Sequence, residues 1–354
     1  MSEDKQLINN PDYLRVSKFL SKGNFTGFTG KDLFIKNFIK KGWGQDIAAL
    51  SNMAEALSFT VQASPELQQQ ITPLMEKVVA CALHGSVSPY SKPMAQVGSL
   101  GHFCYYLEHL NIILGHHQKV AGTKHQQLSQ RISEHLLAET LSHDNLHARL
   151  LPRVKMRWSA DQAAIIYSLW LHDKNNGTNY SAQVIKPWLN YMNGHRKHKS
   201  TGLFATEVMK AKRYSEQPRG CSNAYMIYYM SFFAPEAAKE QWELYKTHMS
   251  RRFIGLTAFR EYLPGYKGGW TPDSGPIVFG LGVAASGLTL KTAAAMGDNE
   301  TYDRLMRLVR PISAFCRVLG KFPLVGIVGS LGVDLLASSI RLAAQSHLQT
   351  RASL

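Results

Sequence analysis

The chain has 354 residues, 45% of them hydrophobic, which excludes a disordered chain and suits one large core or two ordinary ones. Lys and Arg number 40 against 25 Asp and Glu, a formal net charge of +15, but the positive residues are spread along the chain. The one dense basic run, His195 to Lys199, comes with no nucleic-acid motif, so nucleic acid is not an expected partner. The basic surface is left for an acidic protein or for peripheral contact with an anionic membrane.

In chain order, the opening MSEDKQL is polar and does not read as a secretory signal, and residues 1–30 are expected as an N-terminal extension. From there to residue 354 the apolar residues recur at helical spacing, and alternating β-branched runs are nearly lacking, which predicts an all-α protein in a single domain. The helices come as pairs, an apolar small-residue helix followed by an amphipathic charged one. The first pair runs from Asp46 through the turn ASPE, the second from Gly101, and the third from Ser159 through KNNG. The fourth starts at Cys221, with Pro235 at the first position of its second helix, and the fifth runs from Pro276 through DNE. A sixth apolar helix, VGSLGVDLLASSIRLAA, follows, and the early segment KDLFIKNFIKK from Lys31 is its expected partner.

The starts of the apolar helices recur every 54 to 61 residues, counted from Asp46, His102, Asp161, Ser222, Pro276 and Gly332. Helices apolar all round are buried on every side, which favours a closed (α/α)6 toroid over an open helical array. In such a ring the inner helices run parallel, so their N-terminal turns meet at one mouth. The residues placed there are Tyr105 beside His102, Trp158 and Asp161, Arg219 with Ser222 and Asn223, and Glu261, Tyr262, Trp270 and Asp273. Aromatic walls with a few convergent polar groups suit a small-molecule site, and paired carboxylates suit acid/base work. Asp273 and Asp161 are also plausible helix-start residues, where a carboxylate caps or faces the dipole. Arg219 has Asp161, Glu261 or Asp273 as potential partners.

Other signals are weaker. His102 and His109 stand two turns apart rather than at the i, i+4 spacing of a helical zinc pair, so no metal is expected, and His102 is kept as an alternative base. Gly280, Gly282 and Gly287 follow no strand and miss the dinucleotide spacing, which leaves close helix packing as their role and predicts no cofactor. Cys81, Cys104, Cys221 and Cys316 fit no metal spacing and read as reduced thiols of a cytoplasmic protein. The run from Phe322 to Ile340 is of marginal membrane-spanning length and is read as a buried helix.

The segments WSADQ at Trp158, PRGCS at Pro218, FREY at Phe259 and DSGPIVFG at Asp273 resemble (α/α)6-toroid proteins of the linalool dehydratase/isomerase-like type. The resemblance covers residues 152–298 and implies a deep pocket at one mouth of a helical barrel. No cysteine pair aligns with the one that family uses. The expected function is therefore a lyase or isomerase acting by acid/base chemistry on a small, largely apolar or terpenoid-like substrate. In it Asp161 and Asp273 serve as acid and base, and the other mouth residues bind substrate. Two alternatives stand beside it: a hydrolase, lyase or epimerase acting on glycans, and a non-catalytic basic scaffold that holds an acidic partner.

Overall fold

A computed structural model describes residues 9–22, 24–25, 44–208, 216–266, 268–269, 271, 273–319 and 335–352, with the backbone alone for 312–319. Twelve helices of ten residues or more make up the described chain. They are α1 (Pro11–Leu20), α2 (Gln45–Ala63), α3 (Gln68–Leu83), α4 (Cys104–Ala121), α5 (Gln126–Leu141) and α6 (Ser159–Asn176), followed by α7 (Ala182–His195), α8 (Gly220–Phe233), α9 (Pro235–Met249), α10 (Val283–Met296), α11 (Asn299–Leu319) and α12 (Leu335–Ala352). Two short antiparallel hairpins interrupt them: β1 (Ser250–Phe253) with β2 (Leu256–Phe259), and β3 (Ile277–Val278) with β4 (Leu281–Gly282).

The even-numbered helices form a closed inner ring. Contacts run from α2 to α4, α6, α8, α10 and α12, and α12 packs back on α2. Their sequences explain the position: α8, GCSNAYMIYYMSFF, has apolar or small residues on every face, and eleven of its fourteen residues are buried. The odd-numbered helices lie outside and bury one stripe only. In α3 the buried positions Ile71, Met75, Val78, Val79 and Ala82 repeat at helical spacing, while the intervening polar residues face out. Several helix ends are written locally. Asn10 accepts a hydrogen bond from the Asp12 N–H at 2.7 Å and Pro11 opens α1; Gly177 and Gly297 end α6 and α10 with left-handed φ of 69° and 71°.

Three expectations need correction or relocation. The fifth inner helix starts at Val283, not Pro276, because residues 277–282 fold into β3–β4. Positive φ at both turn residues, 51° at Phe279 and 79° at Gly280, cannot continue a helix and matches the right-handed twist of a tight hairpin. Secondly, Gly287 packs against no neighbouring helix, since a Cβ there would meet nothing within 4 Å, and it faces an open cavity instead. Thirdly, α1, in the segment expected as an extension, packs on α12 and α3. Its Asp12 is ion-paired with Arg341 of α12 at 2.6 Å. The segment from Lys31 expected as partner of the sixth apolar helix lies outside the described residues, as does most of the run from Phe322. Among the described residues no helix is long and apolar enough to cross a membrane.

Candidate active site

The N-terminal turns of all six inner helices converge, and the space they leave is a cavity of about 570 Å³. Gln45 and Asn52 of α2, Tyr105 of α4, Asp161 of α6, Ser222 and Tyr225 of α8, Leu288 of α10 and Ile340 of α12 all face it. The loops before the helices add Trp158, Arg219, Asp273 and the tip of the β3–β4 hairpin. Most of this wall is apolar, so the few polar groups stand in surroundings where charge is costly.

Asp161 shows that cost most plainly. It sits in the first turn of α6 and lines the cavity, and its pKa is raised to about 7 by burial and by the charge of Asp273, against the pull of its own backbone N–H. Among the described residues no side chain donates a hydrogen bond to it. Asp273 is reached by solvent through the cavity, yet the walls around it raise its pKa as well, with Arg219 opposing. The capping role considered for Asp273 does not arise, because it lies ten residues ahead of Val283, where α10 begins.

The loop carrying Asp273 is held from behind. Arg219 is buried; its Nε donates to Glu261 Oε1 at 2.9 Å and its Nη2 donates to Thr271 Oγ1 at 2.7 Å. Thr271 N–H donates to Ser274 Oγ at 3.0 Å, which closes a tight turn around Asp273. Glu261 also accepts from the Cys221 Sγ at 3.0 Å and the Cys221 N–H at 3.3 Å. Burial raises the pKa of Glu261 and Arg219 opposes it. Two glycines allow these close approaches. A Cβ at Gly282 would lie 2.8 Å from Glu261 Oε2, and one at Gly220 would lie 1.9 Å from the Arg260 carbonyl oxygen.

Of the residues expected at the mouth, Asp161, Asp273, Trp158, Arg219, Ser222 and Tyr105 line the cavity. Ser222 Oγ is buried and has no hydrogen-bond partner among the described residues. Others stand behind the wall. Glu261 anchors Arg219, Tyr262 lies under the Arg219 guanidinium with 5.7 Å to the ring centroid, and Asn223 donates to the carbonyls of Phe204 and Arg219. His102 is elsewhere: the Gly101 turn directs it to α5, where its Nδ1 lies 3.3 Å from Glu139 Oε2 and its Nε2 accepts from Arg149. It does not line the cavity. Trp270 lies outside the described residues.

The sequence reading missed the residues one turn deeper. Tyr225 follows Ser222 by three positions and His109 follows Tyr105 by four, so each lies on the same helix face. Tyr225 Oη is 3.3 Å from His109 Nε2, and His109 Nδ1 is 2.8 Å from Ser51 Oγ. Burial, with the charge of Lys291, brings the His109 pKa down to about 3, so this imidazole is neutral. Beside it Glu108 is fully buried, with neither carboxyl oxygen hydrogen-bonded among the described residues, and burial and Asp161 push its pKa well above the usual range. At the cavity floor Asn52 Oδ1 accepts from Lys291 Nζ at 2.7 Å, and Lys291 is ion-paired with Glu55.

No family model matches the sequence, and no curated protein matches it. Among solved structures, a family 76 glycoside hydrolase, an α-mannanase of Bacteroides thetaiotaomicron, superposes with a TM-score of 0.56 at 12% identity, over 99% of each chain. A second family 76 mannosidase of that organism gives 0.51 at 12% identity, over 98% of this chain and 100% of the other. The third is an inactive variant of an α-1,6-mannanase of Salegentibacter with two aspartates replaced by alanine, in complex with α-1,6-mannotetrose; it gives 0.51 at 8% identity, over 86% and 90%. At such identities the likeness is one of fold: the molecule is an (α/α)6 toroid. The linalool dehydratase/isomerase resemblance rests only on the motifs quoted above.

Proposed function

We propose that this protein is a glycan-acting hydrolase whose reaction takes place between Asp161 and Asp273 in the mouth of the toroid. The observation that carries this reading is that Asp161 and Asp273 line one mostly apolar cavity, where burial and the neighbouring carboxylate push the Asp161 pKa up. A carboxyl with a pKa of about 7 keeps its proton near neutrality, as a general acid for a glycosidic oxygen must, while a second carboxyl beside it stays ionised. Burial raises the pKa of Asp273 too, and the Arg219 guanidinium works against that rise. Asp161 then protonates the departing oxygen, and Asp273 stabilises the positive charge that develops on the sugar ring, as nucleophile or by activating water. Trp158, Tyr105 and Tyr225 line the cavity with aromatic rings on which a sugar can stack. The solved neighbours that share this fold along nearly their whole length, glycoside hydrolases of family 76, support the same reading.

The test is release of reducing sugar from a panel of α- and β-linked oligosaccharides, mannose-containing ones included. Asp161→Asn and Asp273→Asn are expected to lower kcat by about 10²–10⁴-fold while oligosaccharide binding persists. Full activity in either variant would overturn the assignment.

A second reading is favoured by the wall itself. Val278, Phe279, Leu281, Leu288 and Ile340 give much of the cavity a lining without hydrogen-bonding groups, which suits a small apolar alcohol. With such a substrate Asp161 protonates the hydroxyl and Asp273 takes a proton from the neighbouring carbon, giving water and an alkene. Turnover of terpenoid alcohols without turnover of oligosaccharides would select this reading. The open cavity supports either enzyme over the non-catalytic scaffold.

A further inference from the structure

Away from the mouth, towards the C-terminal end of α4, three metal-binding side chains meet. Glu76 of α3, His117 of α4 and His125 of the short 3-10 turn Thr123–His125 each offer one ligand atom, and these atoms all lie within 4.8 Å of one another. We propose that they form a binding site for a divalent transition-metal ion of the zinc type, which staples the α4–α5 turn to the outer helix α3. The inference is independent of the glycan reading.

The donor set points to that class of ion. Two imidazoles and one carboxylate suit zinc, cobalt or nickel, whereas magnesium and calcium take oxygen ligands. Ligand atoms about 2.0–2.1 Å from a tetrahedral zinc ion stand about 3.3 Å apart. Glu76 Oε1 and His117 Nε2 are already 3.0 Å apart, and the His125 ring stands edge-on to His117 with centroids 4.9 Å apart. A side-chain rotation of His125, which is only partly buried, closes the third side. The Glu76 side chain is 36% exposed, which leaves an entry path and a fourth position for water. His117 is buried, and its Nδ1 has no hydrogen-bond partner among the described residues, so no bond there must break for the ring to adjust. An imidazole without such an outer partner binds about 10–100-fold less tightly than one that has it, so affinity in the micromolar range is expected.

Lys124 is the competing cation. Its ammonium donates to Glu76 Oε2 at 3.1 Å from a side chain that is 64% exposed. A metal ion would displace or share that contact, which makes Lys124 a probe of the site.

Untagged full-length protein treated with a chelator should be titrated with Zn²⁺ by calorimetry and with Co²⁺ by visible absorption, with thermal unfolding followed in parallel. One Zn²⁺ per chain is expected to raise Tm, and Co²⁺ to give the intense bands of a four-coordinate ion. His125→Ala should weaken binding tenfold or more while Tm in chelator stays unchanged, because the Glu76–His117 and Glu76–Lys124 contacts remain. Lys124→Met should bind more tightly than the native chain. The proposal fails if His125→Ala binds Zn²⁺ as the native chain does, if Lys124→Met binds no more tightly, or if Co²⁺ shows only the weak bands of an octahedral aquo ion. Any of these would leave a plain hydrogen-bonded cluster of Glu76, His117 and Lys124.

Discussion

Asp161 is held in a state that costs the fold stability. Its carboxyl keeps a proton up to about pH 7 in the folded chain but releases it near 3.8 when unfolded, so the folded state binds more protons between those values. Stability contributed at low pH is therefore lost as pH rises through that window, and the loss persists above it. Asp161→Asn removes the titration. With allowance for the solvent that reaches the cavity, the variant is expected to be more stable than the native chain by about 1–3 kcal/mol at pH 8 and nearly unchanged at pH 4, measured by urea unfolding. A carboxylate present only to favour the helix start would give the opposite result, a loss at pH 8. Activity of the native chain should decline as pH rises past about 7, where the acid form disappears. A gain in stability with loss of turnover would mark strain kept for function.

At the scale of elements, the decisive piece is the chain from Arg260 to Gly282, which carries Asp273 on a turn tethered to Arg219. Its fit to α8 is made at Gly220, where the Arg260 carbonyl occupies the space of a side chain. Gly220→Ala must push that backbone away, and an overpacking cost of about 1–3 kcal/mol is expected in thermal or urea unfolding. Turnover should fall as well, because the displaced segment also carries Glu261, the ion-pair partner of Arg219. Little of this was legible in the sequence. The hexapeptide PIVFGL reads as a helix entry, since a short apolar run does not distinguish strand from helix, and the outcome rests on the positive φ at Phe279 and Gly280. The ring was legible, because a period near 57 residues and apolar helices with charged partners follow directly from what must be buried. From the ring came the cavity positions of Asp161, Asp273 and Arg219. Depth was not legible: that Tyr225, Asn52 and Glu108 stand behind the first turn depends on how the inner helices cross. Nor was the direction of His102, which one left-handed glycine before it turns to the outer layer.

For the whole molecule, closure of a six-helix ring leaves an axis where side chains from non-adjacent helices meet. There a buried Lys291 of α10 is ion-paired with Glu55 of α2, and its Nζ lies 4.0 Å from the centre of the Tyr228 ring of α8. Tyr228 Oη donates to Glu55 Oε1 at 2.9 Å, so α2 is tied at one point to α8 and α10, neither of which is its ring neighbour. Burial lowers the Lys291 pKa, and the Glu55 carboxylate opposes that shift. Two charges in so dry a place contribute little net stability as a pair, but either alone is costly. Lys291→Met is thus expected to cost about 3–5 kcal/mol, and Glu55→Gln a comparable amount. The double variant should recover most of the loss, giving a coupling energy of several kcal/mol in a double-mutant cycle. Additive losses would show that the pair is not the tie and that packing of the tyrosines alone holds the axis. Because Lys291 also donates to Asn52 at the cavity floor, the same cycle carried out on ligand affinity tests whether the axis fixes the depth of the site. In that measurement Lys291→Met alone should weaken ligand binding more than the double variant does, since only the single variant leaves an unpaired charge beneath Asn52.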